Sequence, residues 1–249
     1  MTGPRRIDKP LILYGYGRLG HLAEEIFKEL KVPIQQIIDK TIIWNLTPDA
    51  PKSLVAVCVA TEPFNYIKEY LLKAGYEDII SVWDIIEAYP EIGIHNGWFA
   101  EDLTSKDIEE MRRLQWDDIY SKIAYLCFWT WHKQRIELSE YSIMPFKESL
   151  SSTLADIRAR QKVRLWSNSH ITFADIHAEG KELETIEANM EVFKKRRPNL
   201  SVSCYHSRDG LWKIEKTLMD NLPDYRWTFR LHAYSGQAAY IYGMPLKKL

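Results

Sequence analysis

Residues 11–20 read LILYGYGRLG, and the reading of this stretch decides the fold of the first part of the chain. A short apolar run leads directly into Gly15, Gly17 and Gly20, spaced as G-x-G-x-x-G. Behind them, HLAEEIFKELK sets Leu22, Ala23, Ile26, Phe27 and Leu30 at helical spacing. A second strand, IQQIID (34–39), ends on Asp39, about twenty residues beyond the last glycine. Each glycine has a job in a strand–loop–helix turn of this kind. Gly15 permits the tight turn, Gly17 lets a phosphate approach the backbone, and Gly20 allows close helix–strand packing. The helix N-terminus then faces the anion, and Asp39 is placed to hydrogen-bond a ribose hydroxyl. The strand before, the helix after and the acid downstream together define a Rossmann-like module. The ligand stays open between NAD, the nucleoside part of S-adenosylmethionine and a sugar nucleotide, and the glycines also suit a module in which they serve only the turn.

The alternation continues outward. LVAVCVAT (54–61) reads as a buried strand, PFNYIKEYLLKAG (63–75) as a helix closed by Gly75, DIISV (78–82) as a strand and WDIIEAYP (83–90) as a short helix. A doubly wound domain is expected over residues 1–92, with EIGIHNGW (91–98) as a linker. A helical connecting segment follows over 93–168 and a second α/β unit over 169–249.

Composition narrows the class. The chain has 249 residues, 46% hydrophobic and 27% charged, with a formal net charge of −1. That balance offers no electrostatic footprint for nucleic acid or an anionic membrane. No apolar run reaches the ~20 residues of a spanning helix, and MTGPRRIDKP lacks a signal-peptide core. Cys58, Cys127 and Cys204 are widely spaced and form no CxxC pair, so a reduced cytoplasmic protein with buried thiols is expected. Nine Trp and fourteen Tyr suit a large core as well as a sugar or nucleotide site.

In the middle segment, Thr104-x-x-Asp107 has the form of a capping box opening SKDIEEMRRLQ (105–115). WDDIYSKIAYLCFWTWHKQR (116–135) carries bulky residues around most of its circumference, which predicts a helix buried between units. His132 follows its aromatic cluster and reads first as a residue near the C-terminal dipole. No glycine occurs between Gly97 and Gly180, and FKESLSSTLADIRARQKVRLWSN (146–168) reads as a connection rather than a cofactor cradle.

From residue 171 the α/β pattern returns. ITFADIH and LSVSCYH read as strands, and KELETIEANMEVFKKRR and GLWKIEKTLMDNL as helices. YRWTFRLHAY and AAYIYGMP flank a short SGQ turn as an antiparallel hairpin. His177 and His206 each end a strand, and His232 lies late in the first hairpin strand. Carboxyl ends of parallel strands converge on the ligand crevice, so His177, Glu179 and His206 are the candidate catalytic group, as base or polar clamp. Each histidine alone also reads as a partner of a loop carbonyl. The three have no metal-ligand spacing motif, and no metal centre is expected.

These residues resemble a known family. His177-Ala-Glu179-Gly180-Lys-Glu182-Leu183, then Arg197-Pro198, Tyr205-His206-x-x-Asp209-Gly-Leu211-Trp212, Asp224-Tyr225, Arg230-Leu231-His232 and Tyr242-Gly-Met-Pro245 resemble the FkbM family of S-adenosylmethionine-dependent methyltransferases over about the last eighty residues. The N-terminal module followed by a helical segment is similar to longer members, which are associated with methylation of sugars and other polyhydroxylated metabolites. The resemblance implies that His177 and Glu179 follow the fourth strand of the catalytic sheet, beside the methyl-transfer site, and that Tyr205-His206 follows the fifth. It also implies a preceding strand and glycine loop for the cofactor, which this chain lacks, while Asp175 stands where a Lys is usual and Ala188 replaces a helix-packing Gly. The expected C-terminal unit is therefore a truncated methyltransferase-like domain, its open sheet edge covered by the middle helices, the N-terminal sheet or another chain.

Two functions follow. One is O-methylation of a small-molecule or glycan-type substrate, in a degenerate enzyme or one dependent on a complementing protein or a second copy, with S-adenosylmethionine as donor and the Gly15, Gly17, Gly20 and Asp39 loop as its cradle. The other is a non-catalytic or regulatory relative that binds a nucleotide or glycan-related ligand. An NAD-dependent oxidoreductase is a third reading, without any hydride-transfer residues to accompany it.

Overall fold

The computed structural model of the chain describes residues 3–39, 50–100, 102–144 and 173–247. The 11–20 stretch forms β1 (Leu11–Tyr14) and the start of α1 (Arg18–Glu29). β1 is buried at every residue, as a parallel strand covered on both faces must be. It pairs in parallel with β2 (Ile34–Ile38) and β3 (Leu54–Val57), and β3 pairs with β4 (Asp78–Ser81), giving the order β2-β1-β3-β4.

The pleat sorts β1 between two cores. Leu11 and Leu13 join Leu22, Ala23, Ile26 and Phe27 of α1 and the buried residues of α3 (Val82–Glu87). Ile12 and Tyr14 face Phe64, Ile67 and Leu71 of α2 (Phe64–Lys73) on the other side. Each fully buried Leu, Ile or Phe contributes roughly 1.5–3 kcal/mol by leaving water. The strand expected over 54–61 ends at Val57, because the chain then turns and Ala60 gives its carbonyl to the Tyr234 N–H at 2.8 Å. Residues 91–98 are a packed joint rather than a free linker. Ile92, Ile94 and Trp98 are buried, and a Cβ at Gly97 would lie 2.0 Å from the Trp83 carbonyl oxygen.

α4 (Ser105–Arg113) starts with the expected capping box: the Asp107 N–H donates to Thr104 Oγ1 and the Thr104 N–H to the Asp107 carboxylate. The helix expected from Trp116 begins later, as α5 (Ile119–Gln134), because the Asp118 carboxylate takes the Ser121 N–H at 2.6 Å and caps it. α5 packs against both units. Tyr125, Cys127 and Phe128 enter the C-terminal core, whereas Trp131 meets Phe64 edge-on at 5.6 Å under the first sheet. These two neighbours account for part of its apolar circumference, while Ile119, Tyr120 and Leu126 are exposed. The 146–168 segment lies outside the described residues.

The second sheet comprises β5 (Phe173–Ile176), β6 (Asn199–Ser203), β7 (Tyr225–Leu231) and β8 (Ala239–Pro245) in the order β5-β6-β8-β7. β5 and β6 are parallel; β8 runs antiparallel to both of its neighbours. α6 (Glu182–Arg196) and α7 (Lys213–Asn221) connect the strands. The middle segment covers the free edge of β7: Asp117 N–H donates to the Trp227 carbonyl, Met144 N–H to that of Leu231, and Phe229 N–H to Ser121 Oγ. Among the described residues no strand pairs with the outer side of β5. No described helix is long and apolar enough to cross a membrane.

Candidate functional site

The HAEGKE segment makes a sharp turn off the end of β5. Glu179 has φ 47° and Gly180 φ 97°, two consecutive residues in left-handed conformations. Glycine takes such an angle freely, whereas for Glu179 it costs about 1 kcal/mol or more. The turn is held by Glu182, the first residue of α6. Its carboxylate accepts the Ala178 N–H at 3.0 Å and the Gly180 N–H at 2.9 Å, closing the loop over the helix N-terminus.

Glu182 is 1% exposed, and it also receives His206 Nδ1 at 2.7 Å and Ser203 Oγ at 3.0 Å from the end of β6. Burial works against its charge, but the His206 charge, the His206 hydrogen bond and the loop amides hold its pKa down to about 2. Glu179 is lowered for similar reasons, with burial opposed by the charge of His206 and by the hydrogen bond and charge of His177.

The three expected catalytic residues come together. His177 Nε2 lies 3.0 Å from Glu179 Oε1, and His206 Nε2 lies 3.4 Å from Glu179 Oε2. The two imidazole centroids are 4.6 Å apart. Tyr240, at the start of β8, places its hydroxyl 3.0 Å from His177 Nδ1. Side-chain exposure falls from 16% at His177 to 6% at Glu179 and 2% at His206, so the cluster opens to solvent on the His177 side. His232 stands apart, with Nδ1 2.7 Å from the Met144 carbonyl and Nε2 2.9 Å from the Tyr242 hydroxyl. His132 is a core residue, stacked on Trp98 at 3.5 Å.

Sequence reasoning missed Glu182 as a site residue and missed Ser203 and Tyr240 altogether. Glu182 lay in the segment, yet an acid in a first helical turn is ordinarily solvated. Tyr240 arrives from a strand inserted beside β6 by the hairpin, and no local signal announces that.

The N-terminal loop separates its expected ligands. Gly15 adopts φ 94°, and a Cβ at Gly20 would lie 2.3 Å from the Gly15 carbonyl oxygen, so both are required by the chain's own packing. Gly17 has nothing within 4 Å of an added Cβ. It faces open space at the N-cap of α1, the position where a phosphate or carboxylate fits a helix N-terminus. Asp39 sits beside this loop, but one carboxylate oxygen accepts the Tyr16 N–H at 2.7 Å and fixes the loop.

Gly210 supports the β6 end of the cluster. A Cβ there would lie 1.7 Å from the Cys204 carbonyl oxygen. Gly210→Ala must therefore push back the backbone that leads to Tyr205 and His206, at a cost of about 1–3 kcal/mol or more. A fall in melting temperature of roughly 2–12 °C is expected; an unchanged melt would show that this turn has room.

A mixed α/β architecture with a parallel sheet and a second mixed sheet ending in antiparallel strands is consistent with a methyltransferase-like α/β fold. The crystal structure of the methyltransferase FkbM from Methylobacillus flagellatus KT, solved at 2.20 Å, is similar to it over 94% of this chain and 90% of that one, with a TM-score of 0.55 and 12% sequence identity. This likeness is one of fold, and it lends nothing to the expectation of a truncated domain. No family model matches the chain, and no curated protein matches it.

Proposed function

We propose that this chain is an FkbM-like methyltransferase that acts on a hydroxyl of a polyhydroxylated small molecule or glycan-type substrate, complemented by a partner protein or a second copy. The observation that carries the reading is the convergence of His177, Glu179 and His206 at the carboxyl ends of β5 and β6. S-adenosylmethionine, when bound, supplies the electrophilic methyl group. His177, the most exposed of the three, takes the proton at Nδ1 when the acceptor hydroxyl occupies the place of the Tyr240 hydroxyl, while Glu179 accepts the Nε2–H and orients the ring. Before the acceptor arrives, the Tyr240 hydroxyl holds the ring from the Nδ1 side. The acceptor loses its proton to the imidazole as its oxygen gains the methyl. On this reading Gly17 and the first amides of α1 hold the nucleotide and Asp39 meets its ribose, which the open space beside Gly17 and the position of Asp39 next to the loop support.

A second reading is favoured by the sequence between Gly97 and Gly180, which has no glycine for a cofactor loop ahead of β5. On that reading the chain is a ligand-binding or regulatory relative.

Calorimetric titration with S-adenosylmethionine, S-adenosylhomocysteine, NAD and UDP-sugars separates the two. The proposal expects heat from the first two ligands, lost in Gly17→Val. Silence from both at millimolar ligand overturns it. Heat from NAD alone supports the oxidoreductase reading instead, and a signal lost only in Glu179→Ala moves the nucleotide to the second sheet.

A further inference from the structure

We infer that His177, Glu179 and His206 form a binding site for one zinc-like divalent transition-metal ion, with His177 Nε2, the Glu179 carboxylate and His206 Nε2 as ligands. One potential ligand atom from each lies within 4.8 Å of the other two. Zinc holds nitrogen and oxygen ligands at about 2.0–2.2 Å, a spacing that side-chain adjustment within this cluster can reach.

What distinguishes this cluster from a simple ion-pair network is the environment of the other ring nitrogens. His206 Nδ1 faces the Glu182 carboxylate at 2.7 Å, and His177 Nδ1 faces the Tyr240 hydroxyl at 3.0 Å. Both Nε2 atoms are thereby turned toward the same carboxylate. A carboxylate behind one ligating imidazole and a hydroxyl behind the other is the outer arrangement that fixes tautomer and ring orientation in metal sites. His206 lies between the Glu179 and Glu182 carboxylates, its two ring nitrogens each facing one of them. The left-handed backbone of Glu179, at φ 47°, is what aims its carboxylate at both rings. Two histidines and one glutamate leave a coordination position open, and it falls on the His177 side, where the cluster meets solvent. The binding claim stands on this geometry. Its use, lowering the pKa of an acceptor oxygen bound in the open position while the proton leaves to solvent, rests on the methyl-transfer reading of the same residues and would replace His177 as base.

The test is titration of chelator-stripped, full-length protein with Co²⁺ as a spectroscopic probe, followed by competition with Zn²⁺. One equivalent per chain is expected, with visible absorption bands of a four- or five-coordinate nitrogen–oxygen site that Zn²⁺ abolishes. Glu179→Gln and His177→Asn are expected to weaken binding at least 100-fold with an unchanged circular-dichroism spectrum. Glu182→Gln is expected to weaken it about 10–100-fold through the orientation of His206. His95→Ala, on the exposed surface, is expected to leave it unchanged. Absence of saturable Co²⁺ binding overturns the inference, as does binding that survives intact in both ligand variants. Metal binding without any response to S-adenosylmethionine would remove the methyl-transfer reading and leave the metal site standing; the reverse result would do the opposite.

Discussion

Replacing Arg135 with Met is expected to lower the unfolding free energy by about 3–5 kcal/mol, because it strands a buried carboxylate. Arg135 follows α5 in a left-handed conformation, φ 55°, and its side chain is 6% exposed against 3% for Asp84. Its Nε and Nη2 reach Asp84 Oδ1 at 2.9 and 2.5 Å, and Nη2 also donates to the Gly97 carbonyl at 2.6 Å. The pair ties the middle helix to α3 and to the joint after the first sheet. Burial pushes the Asp84 carboxyl upward even with Arg135 beside it, so the lone acid has no comfortable state in the variant. Chemical denaturation checks the magnitude. Adding Asp84→Leu to Arg135→Met removes the stranded charge and is expected to restore most of the loss. A single-variant effect below about 1 kcal/mol would contradict the account.

Acidification is expected to remove about 5 kcal/mol through His132, counting 1.36 kcal/mol per pKa unit. Burial, reinforced by the charge of Arg135, lowers this histidine from its ordinary 6.5 to about 3. Its Nδ1–H donates to the Trp98 carbonyl at 3.0 Å, and its ring lies flat on the Trp98 indole. The folded state therefore keeps His132 neutral, while the unfolded chain binds a proton below pH 6.5. The stabilisation is complete above that pH and is lost progressively as pH falls toward about 3. Denaturant melts across this window, run on wild type and on His132→Gln, measure the effect. The variant keeps a donor for Trp98 but has nothing to titrate, and its stability should vary less with pH by that amount. Equal slopes in the two proteins would show that His132 does not control acid stability.

The glycine loop shows how far a sequence pattern reaches. G-x-G-x-x-G after an apolar run and before a helical period forms the strand, turn and helix at the expected residues. The three glycines look alike in the sequence, yet Gly15 is closed in by Val59 and the Cys58 carbonyl, Gly20 by the Gly15 carbonyl, and of the three only Gly17 leaves space for a ligand. The C-terminal site was legible to a similar depth. His177 and His206 stand at the carboxyl ends of β5 and β6, because a period-two run followed by a helical period must end at such a point. The residue that holds the site together, Glu182, reads in sequence as an ordinary acid in a helical first turn, and only the arrival of Ser203 and His206 from the neighbouring strand buries it. The apolar circumference of α5 predicted contact with both units, which Phe128 and Trp131 make, but Ile119, Tyr120 and Leu126 stay exposed, and nothing in the sequence announced that Arg135 would close that joint on Asp84, fifty-one residues away.

The sequence by itself determined the α/β alternation, the Rossmann-like turn and the placement of two histidines at successive strand ends, since local periodicity dictates which backbone face is dry. Only the tertiary structure decided which polar groups lose their water together. Desolvation depends on neighbours brought from distant parts of the chain, and it turns Glu182, Arg135 and His132 from ordinary polar residues into the points on which the site and its frame depend.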